Sequence, residues 1–334
     1  MLDSYRLLGC SGLRVSPLAL GTMTFGWGTD RDVARAIFDA YVGRGGNFVD
    51  TANGYANGTS EEMVGELAEP RREELVIATK YSMPMRSGDP NSGGNSRKSM
   101  VRSVEDSLTR LRTDYIDLLY LHIWDGNTPV EEVLRAMDDL VRAGKVLYVG
   151  LSDIPAWQVS RMQAIADLRG WAPLVALQIP YNLVERTVER DLIPMAKALG
   201  LGVVPWSPLA GGVLTGKYSR ADLAPESGYT RKAVAAGNGF LTARGLEIAE
   251  VVKETASKLG TSPGRVALGW TLLNPAVVAP IVGARTLAQL EDNLGVFDVT
   301  LDSEQRARLG EASGVDLGFP HESLRRLGYT SRTP

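Results

Sequence analysis

Short runs of consecutive apolar residues recur along this chain, separated by longer stretches in which apolar positions repeat every three to four residues. The short runs are Leu18-Ala19-Leu20, Asn47-Phe48-Val49, Val76-Ile77-Ala78-Thr79, Ile116 to Leu121, Val146 to Val149, Val175-Ala176-Leu177, Val203-Val204 and Ala279-Pro280-Ile281. Continuous rather than alternating hydrophobicity predicts strands covered on both faces, the habit of a parallel sheet. The intervening stretches predict helices. Their apolar stripes are Val33, Ala36, Ile37, Ala40 and Tyr41 after Asp30; Val101, Val104, Leu108 and Leu111; and Val133, Leu134, Met137, Leu140 and Val141. Thr128-Pro129-Val130-Glu131 reads as a capping box with proline at the first helical position, on a helix that stops near Gly144. Ser262-Pro263 opens an extra helix before the last strand, and Thr286-Leu287-Ala288-Gln289 caps another after it. Tyr5 to Val15 reads as a hairpin around Gly9-Cys10-Ser11-Gly12.

Roughly eight strand-helix units follow one another without a linker or low-complexity break. The expected fold is α/β: a closed (β/α)8 TIM barrel with an N-terminal β-hairpin and extra helices near the C-terminus, one domain over residues 1–334, in preference to a doubly wound open sheet. A hydrophobic content of 44% supplies a large core.

Charge narrows the partners. The net charge is -3, and basic residues are interleaved with acidic ones, as in Glu69-Pro70-Arg71-Arg72-Glu73-Glu74, so nucleic acid is not an expected partner. A lone cysteine, Cys10, forms no internal disulfide, and Met1 to Arg6 has no basic-then-apolar leader; a cytoplasmic setting is expected. The most apolar window, Val266 to Ala284, is broken by Asn274-Pro275 and Pro280 and reads as helix, turn and strand rather than as a membrane span. With two histidines in the chain and no His-Glu-x-x-His, no metal site is expected.

Two glycine-rich runs resemble nucleotide loops. Gly43-Arg44-Gly45-Gly46 lies between a helix and a strand, the reverse of a dinucleotide fingerprint, and reads as a helix stop. Gly211 to Lys217 has P-loop spacing, but Tyr218 stands where a magnesium-binding hydroxyl belongs.

A parallel barrel carries its strand ends to one face, and here those ends are unusually rich in chemistry. They bring Asp50 with Tyr55 in the following loop, Lys80, His122, Ser152-Asp153, Gln178 and Trp206-Ser207. A phenol, with an ordinary pKa of about 10, is a poor acid at neutral pH unless a cation lies close. Lys80 is the natural cation. At about 4 Å and an effective dielectric near 20, a unit charge is worth roughly 4 kcal/mol to the phenolate, enough to bring Tyr55 toward neutrality. Asp50 can hold the ammonium, and His122 can orient a carbonyl oxygen. No nucleophile stands beside a base, so the set suits protonation of an oxygen while a hydride attacks carbon.

These residues also carry a resemblance. Gly21-Thr22-Met23-Thr24-Phe25-Gly26, Asp50-Thr51-Ala52 with Tyr55, Thr79-Lys80, Tyr115-Ile116-Asp117-Leu118 leading to Leu121-His122, Gly150-Leu151-Ser152, Trp206 to Gly212, and Gly283-Ala284-Arg285 with Asn293 are similar, in order and spacing, to the aldo-keto reductases. The resemblance spans nearly the whole chain. It implies NADPH-dependent reduction of an aldehyde or ketone, with Asp50, Tyr55, Lys80 and His122 as catalytic residues and Tyr55 as proton donor. It further implies a cofactor (NADP) lying on Gly21, Thr22, Met23 and Asp50. Trp206 would lie under the nicotinamide, with Ser152, Asp153 and Gln178 at its carboxamide. Ser207, Pro208, Leu209, Gly211 and Lys217 would line the pyrophosphate. Ile281, Gly283, Ala284, Arg285, Gln289, Asp292 and Asn293 would surround the adenosine, with Arg285 on the 2′-phosphate. Position 153 is more often Asn in the family, and Asp can accept from the carboxamide but not donate to it.

The expected partner is a small-molecule carbonyl compound in an apolar pocket formed by Phe25, Trp27, Tyr55, His122 and Trp124, bordered by the stretches Tyr81 to Asn95 and Pro205 to Phe240. Two alternatives stand beside this one. The chain also resembles channel β-subunits on the same barrel, which implies a cofactor-binding regulatory subunit, and paired carboxylates such as Asp50 with Asp125 or Asp153 would suit a hydrolase.

Overall fold

Each apolar run contributes to a strand of one parallel sheet. The computed structural model describes residues 1–224 and 228–329; residues 225–227 of the long stretch after Pro205, and 330–334 at the end, lie outside the described residues. The chain opens with an antiparallel hairpin, β1 (Arg6–Leu7) against β2 (Arg14–Val15). The sheet strands are β3 (Ala19–Gly21), β4 (Phe48–Asp50), β5 (Val76–Tyr81), β6 (Ile116–Leu121), β7 (Val146–Ser152), β8 (Leu174–Pro180), β9 (Gly202–Trp206) and β10 (Ile281–Gly283). Their order is β10-β3-β4-β5-β6-β7-β8-β9, each neighbouring pair parallel. The ring is drawn together by the residues before β10: Val203 N–H donates to Ala276 O at 3.0 Å and Val278 N–H to Val203 O at 2.8 Å. The result is the expected (β/α)8 barrel.

The helices that wrap it are α1 (Arg31–Gly43), α2 (Thr59–Ala68), α3 (Arg97–Leu111), α4 (Val130–Arg142), α5 (Ala156–Arg169), α6 (Leu192–Leu199), α7 (Arg231–Gly237), α8 (Ala243–Leu259), α9 (Pro263–Leu272) and α10 (Leu287–Leu294), followed by α11 (Ser303–Ala312) and α12 (His321–Arg326). Ser262 and Thr286 cap α9 and α10 as expected, each side chain accepting a backbone N–H three residues on. Three expectations need correction. The buried face of α1 is Ala34, Ile37, Phe38, Tyr41 and Val42, with Ala36 exposed, because the larger Phe38 and Val42 turn inward at the expense of small Ala36. Thr128 makes no capping box; its hydroxyl donates to Asp125 Oδ2 at 2.7 Å, and α4 begins after Pro129 with no side-chain cap. The last strand also lies two residues beyond the expected Ala279-Pro280-Ile281, since Pro280 has no N–H to give the ladder.

Two apolar layers result. Inside the barrel Phe48, Val76, Ala78, Leu118, Tyr120, Ala176 and Val204 pack with Leu8 and Val15 of the hairpin, while Val49, Ile77, Leu119, Val149, Leu151 and Leu177 face outward against the helices. The period of two that sends Ala78 inward sends Lys80 inward too. The hairpin seals the N-terminal end of the barrel: Gly9 has φ +59, and a Cβ there would collide with Val175 O and Gly202 N. Among the described residues no helix is long and apolar enough to cross a membrane; Val266 to Ala284 is the end of α9, a turn and β10.

Candidate active site

At the open end of the barrel, Lys80 is fully buried on β5 and all three of its protons are used. Nζ donates to Asp50 Oδ1 at 2.6 Å, to Thr51 O at 2.8 Å and to Tyr55 Oη at 3.0 Å. An ammonium has three donors and no acceptor, so Tyr55 Oη must be the acceptor in that contact. The phenol's own proton therefore points away from Lys80. Asp50 is held from its other side as well, Oδ2 accepting from Gln178 Nε2 at 2.8 Å, which also fixes which way the Gln178 amide faces. Tyr55 heads a tight turn in which Ala56, Asn57 and Gly58 all have positive φ (47, 54 and 94). Beneath it, buried Glu61 accepts from Thr79 Oγ1 at 2.5 Å and from Arg110 Nε at 2.7 Å, bracing the residue next to Lys80.

The expected fall in the Tyr55 pKa is overturned. Burial lifts the phenol above its ordinary value; Lys80 opposes that lift and the Asp50 carboxylate reinforces it. The ammonium 2.6 Å from a carboxylate presents the phenol with a dipole rather than a lone charge. Burial alone would depress Lys80, but Asp50 and Tyr55 more than offset this and hold the ammonium above its ordinary value. His122 sits edge-on to the Tyr55 ring with centroids 5.8 Å apart. Burial, aided by Lys80, pushes it down to about 3, so the ring is a neutral imidazole at physiological pH, with one N–H to donate.

Tyr55 and His122 open on a cavity of about 590 Å³, within the usual size of small-molecule sites. Its inner end is floored by Gly21, Asp50, Ser152, Asp153, Gln178 and Trp206. Trp206 Nε1 donates to Asp153 Oδ1 at 3.1 Å. Its outer end runs past Ser207, Pro208, Leu209 and Gly211 to Lys217, Arg231 and Arg285, and is walled by Ile281, Gly283, Ala284, Gln289, Asp292 and Asn293; Met23 lines it too. Ala210, Gly211 and Gly212 have successive positive φ (50, 64 and 95), and a Cβ on Gly212 would lie 2.6 Å from Lys217 Nζ. Burial lowers both Lys217 and Arg231, and for each the neighbouring cation Arg285 adds to the effect. None of the three forms an ion pair among the described residues, whereas Asp292 is taken up by Arg265 at 3.0 Å and by Ser262 at 2.7 Å. Gln289 Oε1 accepts the Arg285 N–H at 2.9 Å, beside the start of α10.

The sequence-predicted residues are thus largely gathered at one cavity, with exceptions. Lys80 stands behind the lining. Thr22 is buried, its hydroxyl bonded to Ser60 Oγ at 2.8 Å. Phe25 lies in the outer core, Trp124 packs against that core, and Trp27 pairs with Tyr229 at 5.0 Å; none of the three lines the cavity. Residues 81–95 contribute no lining either, their Asn95 being tied to Asp125. Arg231, Val234 and Asn238, around α7, line the cavity without having been singled out. A lone Arg opening a short alanine-rich helix carries no spacing signal, so only its position beside Lys217 identifies it.

The hydrolase pairing finds no second acid in Asp125. Burial would lift its carboxyl, but hydrogen bonds from Thr128, Asn95 and Asn127 pull it below the ordinary value. The Gly211 to Lys217 run is a 3-10 turn over Ala210–Thr215, not the helix that follows a P-loop. Among the described residues no group of three or more His, Cys, Asp or Glu is placed to hold a metal ion.

A (β/α)8 barrel whose strand ends hold a buried ammonium against a phenol, beside a long cavity with a cationic far end, defines a barrel oxidoreductase. The model of the aldo/keto reductase family matches residues 17–313, and the chain belongs to that family. It is 40% identical to "Uncharacterized oxidoreductase YrpG" of Bacillus subtilis, over 90% of this chain and 93% of that protein. It is 38% identical to an aryl-alcohol dehydrogenase [NADP(+)] of Phanerodontia chrysosporium, over 94% and 86% of the two chains. Norsolorinic acid reductase B of Dothistroma septosporum is 38% identical, over 96% and 84%.

Proposed function

We propose that this oxidoreductase reduces aryl aldehydes or ketones with NADPH, and that Tyr55 delivers the proton. The observation that carries the reading is the geometry at Lys80: the third ammonium proton makes Tyr55 Oη an acceptor and leaves the phenolic O–H for the cavity. Its acidity suffices without a lowered pKa. An alkoxide is a base comparable to hydroxide, whose conjugate acid has a pKa of about 16, so a phenol gives up its proton downhill. Lys80 then stabilises the phenolate at 3.0 Å. Neutral His122 donates one hydrogen bond to the carbonyl oxygen, polarising it without protonating it. Asp50, gripped by Lys80 and Gln178, keeps the ammonium charged and in place.

NADPH, when bound, supplies the hydride to the carbonyl carbon. The residues present fit it. Three cations lining the outer end of the cavity, without a carboxylate partner among the described residues, match a ligand carrying a third phosphate beyond the pyrophosphate, which favours NADPH over NADH. The start of α10 adds free N–H groups at the same end. Trp206 and Asp153 supply a flat ring and an acceptor at the other. The aryl preference draws on the names of the relatives. A cytoplasmic setting belongs to the same reading.

The test is the fall of reduced-nicotinamide absorbance with a panel of substituted benzaldehydes. Tyr55→Phe should lower kcat at least about a hundredfold while NADPH still quenches the protein's fluorescence. Equal turnover by the variant removes Tyr55 from the chemistry, and a panel led by small charged acids removes the aryl preference.

A further inference from the structure

The inner end of the cavity holds one more carboxyl group than proton donation needs. Its carboxyls are those of Asp50 and Asp153, both lifted by burial with Lys80 opposing the lift, and its ammonium is Lys80; Tyr55 and His122 are neutral at physiological pH. Lys80 gives its three protons to Asp50, Thr51 O and Tyr55 and none to Asp153. The Asp153 side chain accepts from the indole N–H of Trp206, a neutral donor that favours the carboxylate without cancelling its charge. The residue is firmly placed: its φ is +42, a strained value for a side chain other than glycine, and its carbonyl accepts the Trp124 N–H at 3.3 Å. Burial lifts the Asp153 carboxyl, and the Trp206 N–H and Lys80 oppose that lift.

The two redox forms of a nicotinamide cofactor differ in one charge, and it sits on the ring. The oxidised ring is cationic, the reduced ring neutral, and the phosphates are the same in both. Lys217, Arg231 and Arg285 therefore cannot tell the forms apart. A carboxylate hydrogen-bonded to the ring-shaped floor residue Trp206 can. We propose that Asp153 is a determinant of cofactor redox preference: its charge makes this chain hold NADP+ tighter, relative to NADPH, than a neutral residue at position 153 would. The inference rests on the nicotinamide reading above and adds to it a direction: a bound couple of lower potential, which favours hydride transfer from the reduced ring to the carbonyl carbon. Asp50 cannot do this, since Lys80 pairs with it at 2.6 Å.

The experiment is fluorescence titration of the full chain with NADP+ and with NADPH separately, in wild type, Asp153→Asn, Asp153→Ala and Asp153→Glu. The quantity read is Kd(NADP+) divided by Kd(NADPH), in which contacts common to both forms cancel. Both neutral variants should raise it at least about tenfold, the effect of one charge about 12 Å away at an effective dielectric near 20, and more at closer range. Tenfold is about a 30 mV rise in the midpoint potential of the bound two-electron couple. Asp153→Glu should keep the ratio near the wild-type value. An unchanged ratio in the neutral variants, with both forms still bound, overturns the proposal, as does a change in Asn that Ala lacks, which would assign the effect to amide hydrogen bonding. Wild-type protein that binds neither form overturns the nicotinamide reading itself.

Discussion

At the inner end of the cavity the charged groups sit on strand ends with their partners at hydrogen-bond distance, whereas at the outer end three cations on a loop, a short helix and a helix start face one another without a carboxylate. The difference assigns the labour. Groups already in their final contacts need no rearrangement when a reaction begins, which is what electrostatic catalysis requires. Cations that repel one another along a partly exposed wall are relieved by an anion. On the reading proposed above, the outer end would supply binding and the inner end chemistry.

Breaking the inner end should have the largest effect. Lys80→Met leaves the Asp50 carboxylate buried without its counter-charge, and the loss of one partner of such a pair costs about 3–5 kcal/mol of stability, measurable by denaturant melting. Its carbonyl-reducing turnover should fall at least as far as that of Tyr55→Phe. The outer end should respond differently. Arg285→Ala or Arg231→Ala should weaken NADPH binding about 10- to 100-fold, the value of a hydrogen bond to a charged group, with kcat at saturation little changed and folding intact. If either substitution lowers kcat as much as it raises KM, the division of labour fails.

The smallest effect sharpens the comparison within the inner end. His122 is held neutral, its pKa pushed down to about 3 from an ordinary 6.5. An unfolded chain binds that proton as pH falls below 6.5, the folded chain only near 3, so the histidine's contribution to stability is present above pH 6.5 and is lost on acidification toward 3. His122→Asn should flatten the fall of Tm across that window. In wild type, kcat should show no ionisation of this ring between about pH 5 and 8.

Much of the inner end was legible in the sequence because a parallel barrel leaves little choice about where strand ends go. Once Asp50, Lys80, His122, Ser152 and Gln178 were set at the ends of apolar runs, their meeting followed. What the sequence could not convey was the second partner of each. The Asp50–Gln178 contact joins residues on strands that are not neighbours, and it replaces the lone-cation picture of Tyr55 with a dipole. The outer end was harder to read. Arg231 reaches the cavity from the first position of a short helix without an apolar stripe, and Trp27 and Trp124, conspicuous as aromatic residues, are drawn instead to Tyr229 and to the outer core. Loop conformations answer to contacts that no local pattern announces.

The hairpin that presses Gly9 against Val175 and Gly202 turns the barrel into a blind vessel. With the bottom plugged and the interior packed, a guest seated against the strand ends would have to come and go by the opposite face, the deepest-lying one entering first and leaving last. A slow exit by that guest would then pace the whole cycle, and trimming the stopper at the bottom would change the turnover only by loosening the walls.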